Sequence, residues 1–233
     1  MSVIQQGASP LGYGLVRVLG YGLSVAGVVL PLLPAGRHGE AIAWAALVVP
    51  ALVFAILLVS PPAFAMRDRR GRRSVNILLL LPVMGLAMAA LGSRALDQHY
   101  ALLPAALCAA IAVLLGIGAA AQPLPGSQLG AVIFLVLFGA GYGYGGMVFA
   151  DVRFDHSAGQ PFQTQVRNRY VSRGRSTSYH LVLAPWGPLA QPLDAGVPAK
   201  TYAALQDGDL ACVTLHPGAL RMAWYQVAAC NPG

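Results

Sequence analysis

Charge is what this chain has least of. Asp, Glu, Lys and Arg make up 10% of its 233 residues, against about 25% in a typical water-soluble domain. Apolar residues reach 57%, a load that a soluble core of this size cannot absorb and that lipid can. Ionisable groups are nearly missing from the apolar stretches themselves. That scarcity speaks against active transport, because a carrier needs a group at membrane depth to bind cargo or move a proton. Histidines are few and scattered: His156, His180 and His216 have no second histidine three or four residues on, so no metal site is expected. No cofactor motif and no nucleophile elbow is present. Ser172, His180 and Asp209 contain the residue types of a hydrolytic triad, but no spacing that would bring them together. No catalytic residue, cofactor or metal ligand is therefore assigned, and the chain reads as a non-enzyme.

What remains is five long apolar stretches, 11–34, 41–66, 75–93, 101–121 and 128–150, each about the 20 residues needed to cross a hydrocarbon core. The fold class expected is a membrane all-α bundle of five transmembrane helices, followed by a small C-terminal antiparallel β-domain. The domains run 1–150 for the helical part, 151–161 for a polar linker and 162–233 for the β-domain.

The net charge of +7 is concentrated. Arg67, Arg69, Arg70, Arg72 and Arg73 face a single Asp68, giving +4 in seven residues. A basic run beside membrane segments stays on the cytoplasmic side, and it is suited to anionic lipid; nucleic acid is not an expected partner. Counting outward from this run places the amino terminus inside, the loops 37–40 and 94–100 outside, and the C-terminal domain outside. Charges in the outer loops cancel, Arg37 against Glu40 and Arg94 against Asp97, as this threading requires. The expected location is a bacterial inner membrane with a periplasmic C-terminal domain. Arg17 precedes an apolar run that ends at Pro34-Ala35-Gly36, a poor cleavage site, so the first stretch reads as a retained helix whose Arg17 snorkels to the headgroups.

Within the helices, Ser24, Ser60 and Asn76 are isolated polar residues, and Cys108 is a lone thiol that packs as a small apolar group. Pro50, Pro82 and Pro104 can each kink a helix. Glycine is patterned. Leu11-Gly12-Tyr13-Gly14-Leu15 recurs as Leu19-Gly20-Tyr21-Gly22-Leu23, a period of eight that turns the second copy by about 80°. Gly139 and Gly143, and separately Gly141 and Gly145, lie four apart and bare two strips of the last helix to close neighbours. Those neighbours belong either to the same bundle or to another subunit.

After Ala150 the pattern changes to period two, a strand signal. Phe162, Thr164, Val166, Asn168 and Tyr170 alternate with Gln163, Gln165, Arg167, Arg169 and Val171. A turn over 172–178 leads to a second strand at 179–183. Ala184–Pro198, with four prolines, reads as a loop; 201–205 as one helical turn; 210–215 and 222–229 as a closing hairpin. Cys212 and Cys230 flank that hairpin and suggest a disulfide outside the cytoplasm. A hairpin centred near Gly218 sets Cys212 opposite Tyr225, so the bridge needs a bulge or a bend-back. Arg167, Arg169, Arg173 and Arg175 place four positive charges on one hairpin, a solvated face or a surface for acidic partners. Trp186 and Trp224 fit either the small core or the outer headgroup level.

Tyr179-His180-Leu181-Val182-Leu183, Tyr202, Leu205, Gly208-Asp209, His216-Pro217-Gly218-Ala219-Leu220 and Trp224-Tyr225 resemble the small β-domain of uncharacterised bacterial multi-pass inner-membrane proteins. The likeness covers about 70 residues of turn and core positions and implies fold and location. The glycine usual after the Gly-Ala-Leu run is Arg221 here, which puts the shape of that turn in question. The function expected is an accessory or assembly subunit whose outer domain docks a partner protein and whose helices pack into a membrane complex. A channel or transporter component, or an envelope enzyme acting on lipid or peptidoglycan, are the alternatives.

Overall fold

The structure, a computed structural model, describes residues 10–33, 39–59, 65–67, 73–75, 77–118, 128–174 and 177–230. Two compact units emerge: Met1–Gly92 with His99–Arg153, and Ser93–Gln98 with Phe154–Gly233.

The first unit is helical. Helix α1 (Pro10–Val29) runs on into a 3-10 turn at Leu30–Leu32, and α2 spans Gly39–Val59. Two three-residue strands, β1 (Ala65–Arg67) and β2 (Arg73–Val75), pair antiparallel with Arg67 opposite Arg73. The two ends of the basic run, Arg67 and Arg73, are therefore paired partners. A 3-10 turn at Ile77–Leu80 leads into α3 (Leu81–Leu91), followed by α4 (Leu102–Gly118) and α5 (Gln128–Arg153).

Four helical runs are long and apolar enough to cross a membrane: Gly14–Leu32, Gly39–Val59, Gln98–Gly118 and Leu129–Arg153. This is a membrane protein by the composition and length of its helices. The stretch expected at 75–93 differs, because its apolar helix covers only Leu78–Leu91. Such a run reaches less than about 25 Å, short of a hydrocarbon core of about 30 Å. Of the stretch expected at 41–66, the residues up to Val59 lie in α2, whereas Ala65 and Met66 belong to a strand.

Packing places the short α3 in the middle. It contacts α1 on one side and α5 on the other, while α4 packs on α5 and α2 on α1. Leu79, Leu86 and Ala90 are fully buried. By contrast α4 turns Leu103, Leu107, Ile111 and Leu114 outward, an apolar stripe that lipid satisfies at no cost. Of the three prolines expected to kink helices, only Pro50 lies well inside one. Pro82 opens α3 and Pro104 falls in the first turn of α4, where proline is tolerated, so two of the three expected kinks are replaced by helix starts.

The glycine strips of α5 are seams within this unit. A side chain on Gly139 or Gly143 would meet α4, with its Cβ 2.6 Å from the Ala109 Cα or 2.8 Å from the Ala105 Cα. On the other strip, Gly141 lies against the Val83 side chain and a Cβ on Gly145 would fall 2.8 Å from the Ala87 nitrogen of α3. One helix is thus knitted to two neighbours through two glycine faces. Gly20 is buried, and its carbonyl accepts the Ser24 hydroxyl at 2.8 Å. Gly14 and Gly22 face open space. Gly12, Arg37, Arg69, Arg70, Arg72, Arg175, Ser60 and Asn76 lie outside the residues whose surroundings are described. Arg17 is exposed on α1, which fits a snorkelling side chain.

The second unit is a curled five-stranded antiparallel sheet of order β5-β4-β3-β6-β7. Its strands are β3 (Gln160–Arg173), β4 (Thr177–Leu183), β5 (Leu193–Val197), β6 (Leu210–His216) and β7 (Trp224–Ala229), with one helical turn, α6 (Ala199–Ala204), between β5 and β6. The linker expected at 151–161 shrinks, because α5 continues to Arg153 and Gln160–Pro161 already belong to β3. The expected loop at 184–198 contains β5. Val166, Leu181, Leu183, Ala195, Val197, Leu205, Val213 and Val227 form the core, closed by Trp186 and Tyr225.

Cys212 and Cys230 are joined in a disulfide, with Cα atoms 4.9 Å apart. No bulge is needed. Cys212 pairs with Ala228 and not with Tyr225, because the β6–β7 loop runs through Pro217–Ala223. Gly218 at φ 76° and Arg221 at φ 69° turn that longer loop.

Candidate functional site

Strand β3 carries the site, and its shape follows from a change of partner. Gln160 to Gln165 pair with β6, whereas Val166 to Arg173 pair with β4 on the opposite edge. Between Val166 and Asn168 the register shifts at a bulge. There the turn from Gln206 to Asp209 reaches in: the Val166 N–H donates to the Asp209 carbonyl at 2.9 Å, and the Gly208 N–H donates to the Val166 carbonyl at 2.8 Å. A bulge reverses side-chain alternation. Phe162, Thr164 and Val166 point to the core, and beyond Arg167 the inward positions become Arg169 and Val171. Asn168 and Tyr170, expected on the Phe162 face, lie on the outer one.

Tyr170, His180 and Asp194 meet on that outer face, from β3, β4 and β5. The Tyr170 hydroxyl donates a short hydrogen bond to Asp194 Oδ2. His180 Nδ1 lies 3.1 Å from Asp194 Oδ1, and its Nε2 lies 3.1 Å from the Ser178 hydroxyl. With the proton on Nδ1, His180 donates to Asp194 and accepts from Ser178. The Tyr170 and His180 rings stack at 4.7 Å with an angle of 11°. Asp194 holds the Tyr170 hydroxyl above the usual phenol range, chiefly by accepting its hydrogen bond.

The serine–histidine–aspartate connectivity is that of an acyl-transfer relay, but the setting differs. The His180 and Asp194 side chains are 25% and 51% exposed, so water screens the pair. The second Asp194 oxygen is already taken by Tyr170. Ser178 lies in a regular ladder opposite Ser172, not at a strand-to-helix turn that presents a nucleophile beside free N–H groups. The chain of bonds ties three strands together and fixes the Tyr170 ring. The sequence triad Ser172–His180–Asp209 does not form; Asp209 accepts the Gln206 N–H at 2.7 Å.

The hairpin arginines part company. Arg169 turns inward, with its guanidinium 4.3 Å from the Tyr202 ring centre and donating to the Leu205 carbonyl at 2.5 Å. It neutralises the carbonyl end of α6 and is a structural cation, not a free one. Arg167 and Arg173 are exposed.

A second polar node lies at the start of the unit. Asp155 accepts the Ser157 N–H at 2.8 Å, the Gly218 N–H at 2.9 Å and the Trp224 indole N–H at 2.8 Å. Burial alone would raise its carboxyl, but these hydrogen bonds prevail and hold it below the usual carboxylate range. Trp186 and Trp224 are both buried in this unit. His216 stacks on Trp224 at 4.2 Å, and His156 bonds the Phe154 carbonyl. Among the described residues no three potential ligands gather for a metal.

Ser93–Gln98, between α3 and α4, belongs to the same unit. The Leu96 N–H donates to the Ala223 carbonyl at 2.7 Å, and Ala95 bridges to Trp224. Arg94 stands at φ 56° beside Tyr225, and burial lowers its affinity for the proton while raising that of Tyr225.

Sequence reasoning missed Asp194 because the four prolines of 184–198 masked a five-residue strand. The signal was there: Leu193 to Val197 alternates outward and inward. The chain matches no family model, curated protein or solved structure.

Proposed function

We propose that this chain is a multi-pass membrane accessory subunit that holds its sheet unit outside the cytoplasm to dock a partner protein. The observation that carries it is the interior of the helical unit. Ser24 and Asp151 are its only buried polar side chains among the described residues. Ser24 is satisfied by its own helix, and Asp151 sits in the last turn of α5. An apolar, glycine-knit interior suits an anchor and offers little to a permeating ion or substrate.

Five crossings, with α3 as the short central one, follow from alternation. Joining of Ser93–Gln98 to the sheet unit fits α4 and α5 crossing as a pair, since an even number of crossings separates stretches on one side. Orientation rests on the basic run Arg67–Arg73 remaining in the cytoplasm of a bacterial inner membrane, and a disulfide suits an oxidising exterior. Co-purification in mild detergent tests the reading: a stoichiometric partner retained by the wild type is expected, and a chain that always isolates alone rejects it.

The Ser178–His180–Asp194 chain favours a second reading, an envelope enzyme acting on lipid esters or peptidoglycan. A fluorophosphonate probe separates the two. The docking reading expects no adduct on the intact protein; stoichiometric modification of Ser178, abolished by His180→Ala, establishes the enzyme instead.

A further inference from the structure

The outer edge of β3 from Asn168 to Arg173 is left without a strand. Strand β6 leaves β3 at Gln165, β4 occupies the other side up to Arg173, and no other described strand lies along this edge. The Arg169 N–H bonds the Asn168 side chain at 2.9 Å, so it is turned away from β4. By alternation, the N–H and C=O groups of Arg169, Val171 and Arg173 all face the open edge. Edge strands that must stay single are usually shortened, covered or charged. This edge has only the Asn168 cap and its arginines.

We infer that this edge is the docking surface, and that its occupant is an extended acidic segment of a partner protein, added as a further strand beside β3. The inference rests on the docking reading above. Three observations select this edge and this chemistry. The backbone groups supply a ladder, which gives affinity for an extended peptide without regard to its sequence. Arg167 and Arg173 are exposed at either end of the edge, and no carboxylate occurs anywhere in Gln160–Arg173, so acidic side chains find complementary charge. Tyr170, 38% exposed, stands between them with its ring fixed by Asp194 and His180, a rigid aromatic contact that loses little freedom on binding. The opposite edge, β5, has no basic residue of its own and carries Asp194.

The test uses the full chain in non-ionic detergent and a fluorescein-labelled peptide of alternating Glu and Val, about six residues long, the length of a common strand. Saturable binding is expected. N-methylation of alternate peptide nitrogens, which removes the ladder and leaves the charges, should abolish it. The double variant Arg167→Glu/Arg173→Glu should weaken it about tenfold, the sum of two reversed surface pairs, while leaving thermal unfolding unchanged. A Lys–Val peptide should not bind. Equal binding of the methylated and plain peptides overturns the inference, as does displacement of both by micelles containing phosphatidylglycerol, which assigns the arginines to headgroups. If a partner co-purifies equally with the wild type and the double variant while the peptide fails to bind, docking survives and this edge does not. Peptide binding with no co-purifying partner has the opposite meaning.

Discussion

The Leu96 N–H donates to the Ala223 carbonyl at 2.7 Å, and this bond makes the loop between α3 and α4 part of the sheet unit. On the proposed topology, two segments separated in sequence by α4 and α5 then share one aqueous compartment. Cysteines introduced at Asp97, within the Ser93–Gln98 loop, and at Thr177 should react together with a membrane-impermeant maleimide, from the same side and under the same conditions. A cysteine at Arg73 should react only from the other side. Labelling of Asp97→Cys and Thr177→Cys from opposite sides would show that α4 and α5 do not both cross.

Glycine packing separates two kinds of position that look alike in sequence. Gly143→Leu drives a side chain into the α4 backbone, where nothing can yield, and should cost about 3 kcal/mol or more. Its measurable sign is a lowered unfolding temperature in detergent, with loss of a monodisperse species. Gly22→Leu meets open space and should change stability by less than about 0.5 kcal/mol. Equal effects of the two substitutions would remove the case for α5 as the seam of the bundle.

Arg221 occupies the left-handed region at φ 69°. That conformation costs a side-chain-bearing residue about 1–2 kcal/mol, whereas glycine brings an entropic cost of about 0.5–1 kcal/mol in the unfolded chain. Arg221→Gly should therefore stabilise the sheet unit by somewhat under about 1 kcal/mol, a rise of a few degrees in its unfolding temperature. Arg221→Val, β-branched at the same angle, should destabilise it. The sign of the difference between the two variants is the measurement.

Much of this was legible in residue pattern, and each failure has a local cause. Long apolar runs declared the helices, yet composition alone carried the second into Ala65 and Met66, which pair in a strand. Hydrophobicity could not reveal that the run from Leu78 to Leu91 is a short helix packed between two others, since packing depends on its neighbours. Period-two alternation identified β3 and β4. It could not reveal the bulge at Arg167, which arises because β6 departs and the turn bearing Gly208 and Asp209 takes its place. That bulge decides the site: it swings Arg169 in to Tyr202 and Tyr170 out to Asp194. The Tyr170–Asp194–His180 cluster joins three strands, one hidden among prolines, so no linear spacing contained it.

Asp155 makes the sheet unit acid-sensitive. Hydrogen bonds from Ser157, Gly218 and Trp224 hold its carboxyl below the usual range in the folded chain. A carboxyl with a depressed folded value stabilises the fold above its unfolded value, about pH 3.9, and that contribution vanishes as pH falls through the lower folded value. Wild-type stability should accordingly decline over that window, while Asp155→Asn should begin lower and show a shallower decline there. The group is partly solvated and screened, so the cost of the substitution at neutral pH should be about 1 kcal/mol. Thermal unfolding from pH 6 down to about pH 3, followed by tryptophan fluorescence because Trp224 is one of the donors, reads both quantities. Parallel curves for the two proteins would mean that the carboxylate does not hold the β6–β7 loop.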